Sequence, residues 1–563
     1  MKSPYLQAVL CIGLTAMATA NAQESADRVE KRFDKAPEPK SSLQPLMIPI
    51  DEMQAPAQAE MLRFTLKDLT VSGNTAISQD ELAPLYADLM NKEVSLLDIY
   101  RVRNAITARY GAAGYGLSKA VIPEQRIQAE GRVRIDVIEG FVEQVIIEGA
   151  TDEQRDYLAH LSAQIKGERP LKATTLERYL LLANDRFAIK VTSTLKASDK
   201  TPAASILIIK VEPAPKIEGS LNLDNRGTDA VGPYQINASL AANGLFGRPG
   251  QATLSYATVD QSKELQYLSL TYTEVVSLEG TSVAMGWSQS DSQPGIPVLR
   301  LLDNISGSET WWLRAAYPFV RTRRENLSAS IKYEQRDTDS RSLQTLTSQD
   351  KIRSLRLGLN YDRADAYSGI NQAVFEYSIG IAGLGASDAN SPLKSRADGK
   401  PDYQKVTLSL SRQQELEALF PALRQLSLNL ALMSQYTSDG LLSSEECGIG
   451  GQQIGRAYDS SEITGDRCLA GSLELRYSAN TAGTPFKHAQ WYAFYDGGTV
   501  TNETPLSATD PVTKSLSSAG LGVRFGLPGN VSGSIEATQP LTRLVANEGN
   551  KHARLFASLS VRF

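Results

Sequence analysis

Near the C-terminus, Ala553, Leu555, Ala557, Leu559, Val561 and Phe563 alternate with His552, Arg554, Ser558, Ser560 and Arg562. A period of two, apolar on one face, polar on the other and ending on an aromatic, predicts a strand between lipid and a wet lumen. The same period recurs from Pro215 onward, as in Ile217, Gly219, Leu221 and Leu223, then Ile236, Ala238 and Leu240, then Leu254 and Tyr256. Lipid cannot satisfy an exposed sheet edge, so strands of this kind must close into a barrel. With ~350 residues and ~22 per strand plus connection, about 16 strands are expected, an even number as in bacterial barrels. Short connections such as Asn243 to Pro249 read as inner turns, and longer ones such as Asp291 to Leu302 or Gly385 to Pro401 as outer loops.

Before Pro215 the period changes. A strand is predicted from Phe64 to Val71, a turn at Gly73-Asn74, and a helix opened by Ser78 with Glu81 as a capping box. A second helix starts at Ser95 and Asp98, repeats Leu96, Ile99, Val102 and Ile106 at helical spacing, and stops at Gly111 and Gly114. Strands from Tyr115 to Ile122 and through Val133, Ile135 and Val137 complete the unit. The order then repeats: a strand from Phe141 to Glu148, a helix with Leu158, Leu161 and Ile165 ending at Gly167, a helix capped by Thr174 and Glu177, and strands near Ala188 to Leu195 and Ser205 to Val211. Two β-α-α-β-β units, residues 62–139 and 140–214, meet at Glu139-Gly140 with almost no linker.

Residues 23–61 contain Pro37, Pro39, Pro45, Pro49 and Pro56, which break regular structure and predict an extended linker. Only Glu24 to Lys35 suits a helix, with Val29 and Phe33 on a narrow apolar stripe; a plug and a solvated tail both fit. Residues 1–22 read as a signal peptide: Lys2, an apolar stretch from Tyr5 to Met17, and Ala20-Asn21-Ala22 before Gln23.

The formal net charge of −5 comes from interspersed acids and bases, so no nucleic-acid partner is expected. Of three cysteines, Cys11 leaves with the signal, and Cys447 and Cys468 remain as a candidate disulfide or as two free thiols. A bridge would close a loop of about 20 residues, worth on the order of 3 kcal/mol by chain entropy. The three histidines, His160, His488 and His552, are scattered and form no metal constellation. Gly520, Gly522 and Gly526 lie in an alternating strand without a following helix, and no phosphate-binding loop occurs. No cofactor and no catalytic residue are expected, and the chain does not read as an enzyme.

The tandem units resemble POTRA domains through Val71-Ser72-Gly73-Asn74, Tyr110, Gly114-Tyr115, Pro123-Glu124-Gln125, Gly131 and Val137-Ile138-Glu139-Gly140. The last phrase resembles the two-partner secretion transporters of the haemolysin and filamentous-haemagglutinin secretion family, as do Asp224-Asn225-Arg226-Gly227, Gly232 and Tyr234 at the start of the barrel. Between the eleventh and twelfth strands, at about residues 438–467, Gly450-Gly451, Gly455-Arg456-Ala457-Tyr458, Gly465-Asp466 and Glu474 resemble the superfamily's in-folded sixth loop. The usual core reads Val-Arg-Gly-Tyr or Phe, so Gly455 and Ala457 depart from it and Arg456 and Tyr458 match. Phe494-Tyr495-Asp496-Gly497-Gly498 is similar to the F-x-D-x-G signature of the partner wall. Phe494 and Asp496 share one face; Trp491, Ala493 and Tyr495 lie on the other.

The resemblance implies α+β periplasmic POTRA modules followed by an all-β 16-stranded antiparallel transmembrane barrel (residues 215–563) in the bacterial outer membrane. It also implies that Arg456 pairs with Asp496, and that Phe563 serves as a C-terminal assembly signal. Expected partners are a secreted exoprotein client, the lipid bilayer and the barrel assembly machinery that inserts the chain. The expected function is export of that client without ATP; the runner-up is a BamA-type factor that assembles other barrels.

Overall fold

A computed structural model describes residues 30, 32, 37–43, 54–127, 131–228, 230–245, 249–504 and 510–563. The predicted signal peptide lies outside these, as does most of Glu24 to Lys35. The described residues form two compact units, those of 215–320 and 324–563 with residues 30, 32 and 37–43 in one, and those of 54–214 with 321–323 in the other.

In the first unit sixteen antiparallel strands close into a barrel. The first strand, Ile217–Asp224, pairs with the second, Gln235–Asn243, and with the last, Arg554–Arg562, so no edge is left for lipid to meet. The predicted alternation is visible in exposure: Leu221, Leu223, Ile236, Leu240, Leu254, Tyr256, Leu555 and Leu559 are exposed on the outer face. At the closing seam Gly219 and Phe563 exchange backbone hydrogen bonds of 2.8 and 3.0 Å. Beyond the last paired residues, the Asn225 amide takes the place of a peptide unit. Its Oδ1 accepts from Ala557 N at 2.7 Å, and its Nδ2 donates to Leu555 O at 3.0 Å. In the last strand an aromatic joins the inward polar face: Phe556 is buried beneath the guanidinium of Arg226, 4.3 Å from its ring centre.

The second unit holds two small modules. In the first, Arg132–Ile138 is the central strand, parallel to Asp68–Ser72 and antiparallel to Lys119–Val121. Helix Leu96–Ala112 buries Ile99, Val102, Ile106 and Tyr110 in the module's core. Its Ser95–Asp98 capping box forms as predicted. Three expectations need correction. The strand from Phe64 to Val71 is split into Arg63–Thr65, which pairs with Glu93–Ser95, and Asp68–Ser72, because buried Leu66 and Lys67 hand the backbone from one sheet to the other. The helix after Ser78 runs only Gln79–Leu82, ending where Pro84 enters a 3₁₀ turn, and Ser78 caps no backbone amide. The strand from Tyr115 to Ile122 is shortened to Lys119–Val121.

In the second module Phe141–Glu148 runs parallel to Ala204–Pro213, whose other side pairs with Ile189–Ala197. The helices are Asp152–Gly167 and Ala173–Asn184. Thr151 and Gln154 cap the former; Lys172 precedes the latter without a side-chain cap, so Thr174 and Glu177 do not form the predicted box.

The two motif phrases of the first module meet at its joint with the second. Gly73, at φ +79°, brings its Cα so close to Val137 O that a Cβ would lie 2.4 Å from it. This approach sets Glu139 Oε1 to accept from Thr75 N and Ala76 N, both at 2.7 Å, and from the Tyr110 hydroxyl at 2.8 Å. Partial burial alone would raise the Glu139 pKa, but these donors outweigh it and hold the carboxyl below its ordinary value. Burial, and then the same contact, push the Tyr110 phenol above its ordinary range.

A carboxyl depressed on folding stabilises above its unfolded pKa, about 4.3, and loses that contribution as pH falls through the folded value. Acidification is therefore expected to loosen this joint before the helix core, with the amides of Thr75 and Ala76 losing hydrogen-exchange protection first. Glu139→Gln should reproduce the loss at neutral pH, at a cost of about 1–2 kcal/mol read by the same exchange measurement.

Candidate functional site: a sixth-loop arginine in the barrel lumen

Between the eleventh strand, Leu426–Thr437, and the twelfth, Arg467–Ala479, the chain turns inward. It forms a short hairpin, Cys447–Ile449 with Ile463–Gly465, and Cys447 is bridged to Cys468 at the start of the twelfth strand. Ile449, Ile454, Ala457, Tyr458 and Ile463 pack with Ala470, Val500, Leu516 and Val545 into one buried cluster inside the barrel. An apolar loop thus seats itself on the wall by removing its own surface from lumen water.

The tip carries the charge. Wall strand His488–Thr501 turns Tyr492, Phe494 and Asp496 inward and buried, with Trp491 and Tyr495 outward and half exposed, the parity that alternation requires. Arg456 Nε donates to Asp496 Oδ2 and Nη2 to Oδ1, both at 3.0 Å. The backbone amides of Gly455 and Arg456 add two more bonds to Oδ2, each 3.1 Å. The Arg456 guanidinium also lies 3.5 Å from the ring centre of Phe494, a cation–π contact on its flat face. With Asp496 0% and Arg456 5% exposed, the pair belongs to the buried regime, where losing one partner costs about 3–5 kcal/mol.

Gly455 explains the departure from the usual loop core. Its φ of +84° permits consecutive amides to converge on one carboxylate, and a Cβ there would stand 2.9 Å from Leu516. Ala457, in contrast, needs no positive φ; it is fully buried, and its carbonyl accepts from Arg554 Nη1 at 3.1 Å. The Tyr458 hydroxyl accepts from Arg543 N and faces the carbonyls of Ser517 and Arg543, each contact 3.2 Å.

Sequence reasoning names Glu474 without a role and leaves Arg476, Tyr492, Arg524 and Glu536 unmentioned. Glu474 accepts from Arg456, from both terminal nitrogens of Arg524 (2.8 and 3.0 Å) and from Arg476 Nε (2.6 Å). Arg524 stacks on Tyr492 at 3.8 Å, and Tyr492 donates to Glu536 at 2.8 Å. The glycines at 520 and 522 make room for this layer. Cross-strand pairing sets Gly520 against Phe494 and Gly522 against Tyr492, and a Cβ at either would lie 2.6 or 2.5 Å from the facing ring or its hydroxyl. Gly498 likewise admits Ile449, whose Cδ1 would be 2.8 Å from an added Cβ. Phe563 stands apart from this site, at the seam, with 73% of its surface exposed.

A second network lines another part of the lumen. Arg356 Nη2 donates to Glu334 at 2.8 Å and to Glu445 of the sixth loop at 2.7 Å, and Lys405 reaches Glu445 at 2.6 Å. Arg336 donates to Thr310, and Thr310 with Ser308 donates to Glu30, each at 3.2 Å. Glu30, one of two described residues of the predicted N-terminal helix, is therefore buried against the barrel's inner face. Among the described residues no cluster of His, Cys, Asp and Glu could hold a metal ion.

Comparison with known proteins agrees with this architecture. Residues 203–525 match the family of haemolysin secretion/activation proteins ShlB/FhaC/HecB, and residues 64–140 match the ShlB-type POTRA domain. The heme/hemopexin transporter protein HuxB of Haemophilus influenzae (strain 86-028NP) is 22% identical over 87% of this chain and 86% of its own. The outer membrane transporter CdiB of Dickeya dadantii (strain 3937) is 23% identical over 83% of each. The solved structure of CdiB from Escherichia coli shares the fold, with a TM-score of 0.72 at 21% identity, covering 100% of this chain and 99% of that one. A barrel with an arm of this kind, matched by the family over more than half its length, identifies the chain: it belongs to the ShlB/FhaC/HecB family, the outer-membrane transporters of two-partner secretion.

Proposed function

We propose that the two small modules, both POTRA domains, capture one unfolded exoprotein in the periplasm and that the barrel lumen conducts it to the cell surface. The observation that carries this reading is the lumen itself. It is walled by polar residues, holds a sixth loop pinned through Arg456 and Asp496, and is closed to lipid all round. A polypeptide crossing here exchanges water for fixed polar groups rather than for hydrocarbon.

Capture is supported by the free edges of the module sheets. Ile189–Ala197 ends the second sheet and has one side unpaired within it, so an extended client segment can add as a further strand. Beside that edge lies a groove of about 710 Å³ lined by Leu176, Leu180, Leu195 and Leu207 and, from the first module, Leu117. Main-chain bonds on the edge supply affinity for any sequence, and the groove selects among side chains.

Within the lumen the sixth loop acts as a brace, with Arg456 and Asp496 as its latch and Glu474 as a second anchor. Glu30, buried against the inner wall through Ser308 and Thr310, gives way when the client enters. Direction comes from the client folding outside and burying apolar surface, which makes return unfavourable without any nucleotide. Phe563, exposed at the seam, serves the insertion of this chain by the barrel assembly machinery. The family match is to secretion rather than to assembly of other barrel proteins.

Deleting the protein is expected to remove one large protein from the medium and cell surface while other outer-membrane barrels keep their levels; broad loss of barrels would overturn the secretion reading. Arg456→Ala and Asp496→Ala should each cut export at least tenfold with the barrel still present in the membrane. The double variant should be no worse than either single one, as members of one latch act together. Export equal to the parent in both single variants, measured by immunoblot of the medium, would remove the latch role.

A further inference from the structure

Asp466, quoted in the sixth-loop motif, takes no part in the tip contacts of Arg456. It lies at the root of the loop, one residue before the twelfth strand, and none of its surface is exposed. Its carboxylate accepts from Arg396 at 2.5 and 3.2 Å, from Leu441 N at 2.7 Å and from Glu503 N at 2.8 Å. These donors come from three different outer connections. Arg396 belongs to the long loop between the ninth strand, Gly369–Gly380, and the tenth, Gln404–Glu415; Leu441 belongs to the sixth loop; and Glu503 follows the thirteenth strand, His488–Thr501.

Arg396 is as deeply involved. Its guanidinium is buried and also donates to Glu446 at 3.0 Å, to the Leu441 carbonyl at 3.0 Å and to Asp398 at 3.1 Å. Leu441 and Leu442 are fully buried with Tyr403 and Ile352. The Cys447–Cys468 bridge follows immediately and ties both legs of the sixth loop together. An arginine sharing two buried carboxylates holds its loop far more firmly than a solvated pair, because separating them would leave an unpaired charge buried.

We propose that Arg396 and Asp466 form a second, independent clamp that fastens the outer loop 381–403 over the root of the sixth loop and narrows the outer mouth of the barrel. Arg396 is a positioning residue: it sets where the loop begins, whereas Arg456 sets where its tip rests. Releasing the tip therefore leaves the root in place, and releasing the root frees the outer loop. The inference rests on the lumen being the client's route only for its consequence; the clamp itself is tested without a client.

Intact cells carrying the full chain would be treated with trypsin, and cleavage after Arg396 followed by mass spectrometry. The purified full chain would also be placed in planar bilayers and its conductance recorded in potassium chloride. Because the Arg396 guanidinium is buried, the parent is expected to resist cleavage there. Asp466→Asn should be cut at least tenfold faster and show a mean conductance at least twice the parent's, whereas Arg456→Ala should leave cleavage after Arg396 unchanged. Folding is checked by heat-modifiable migration of the barrel on gels. Folded Asp466→Asn with parental cleavage and conductance would overturn the clamp, as would rapid cleavage after Arg396 in the parent. If Asp466→Asn does not fold, Glu446→Gln, which removes one contact of Arg396 and spares the Asp466 pair, decides: cleavage at least threefold faster supports the clamp and a parental rate overturns it. Loss of export with both clamp readouts at parental values would count against this inference and leave the transport reading standing.

Discussion

Hydrocarbon offers no partner to a peptide N–H or C=O, and every other feature of this barrel follows from that constraint. The strands must pair all round, so the first and last meet in a seam where even the Asn225 side chain is recruited to continue the ladder. Once closed, each strand has one face for lipid and one for the lumen. Polar and charged groups excluded from the outside are concentrated within, close enough to form ordered layers.

Those interior charges are costly unless paired, and the pairing gives the lumen its structure. Arg456 is matched by Asp496 and Glu474, Arg356 by Glu334 and Glu445, and Arg396 by Glu446 and Asp466. Each set joins the sixth loop to the wall or to another loop. The loop is thus fixed at several heights by ionic contacts, with one disulfide between its legs. The two modules of the second unit complete the transporter.

Packing shows why small residues stand where they do. Gly520 and Gly522 face the rings of Phe494 and Tyr492, and those rings carry Arg456 and Arg524 on their faces. A side chain at either glycine would push the aromatic layer into the guanidinium groups. These glycines are slots for aromatic rings.

Local pattern determined a good deal. Alternation of period two, with lipid as solvent, required a closed barrel; segment length set about 16 strands; parity placed Phe494 and Asp496 on one face; and Ser95 with Asp98 marked a helix start. These depend on neighbours a few residues apart, so a linear reading reaches them. The failures were also local: Pro84 shortened the helix after Ser78, and Leu66 with Lys67 split one strand between two sheets. Apart from Arg456 with Asp496, which the resemblance implied, tertiary structure alone decided which charges meet: Arg226 and Glu536 are 310 residues apart, and Arg396 and Asp466 70. Many acids and arginines share the lumen-facing parity, and only the closure and register of the barrel select the pairs that touch.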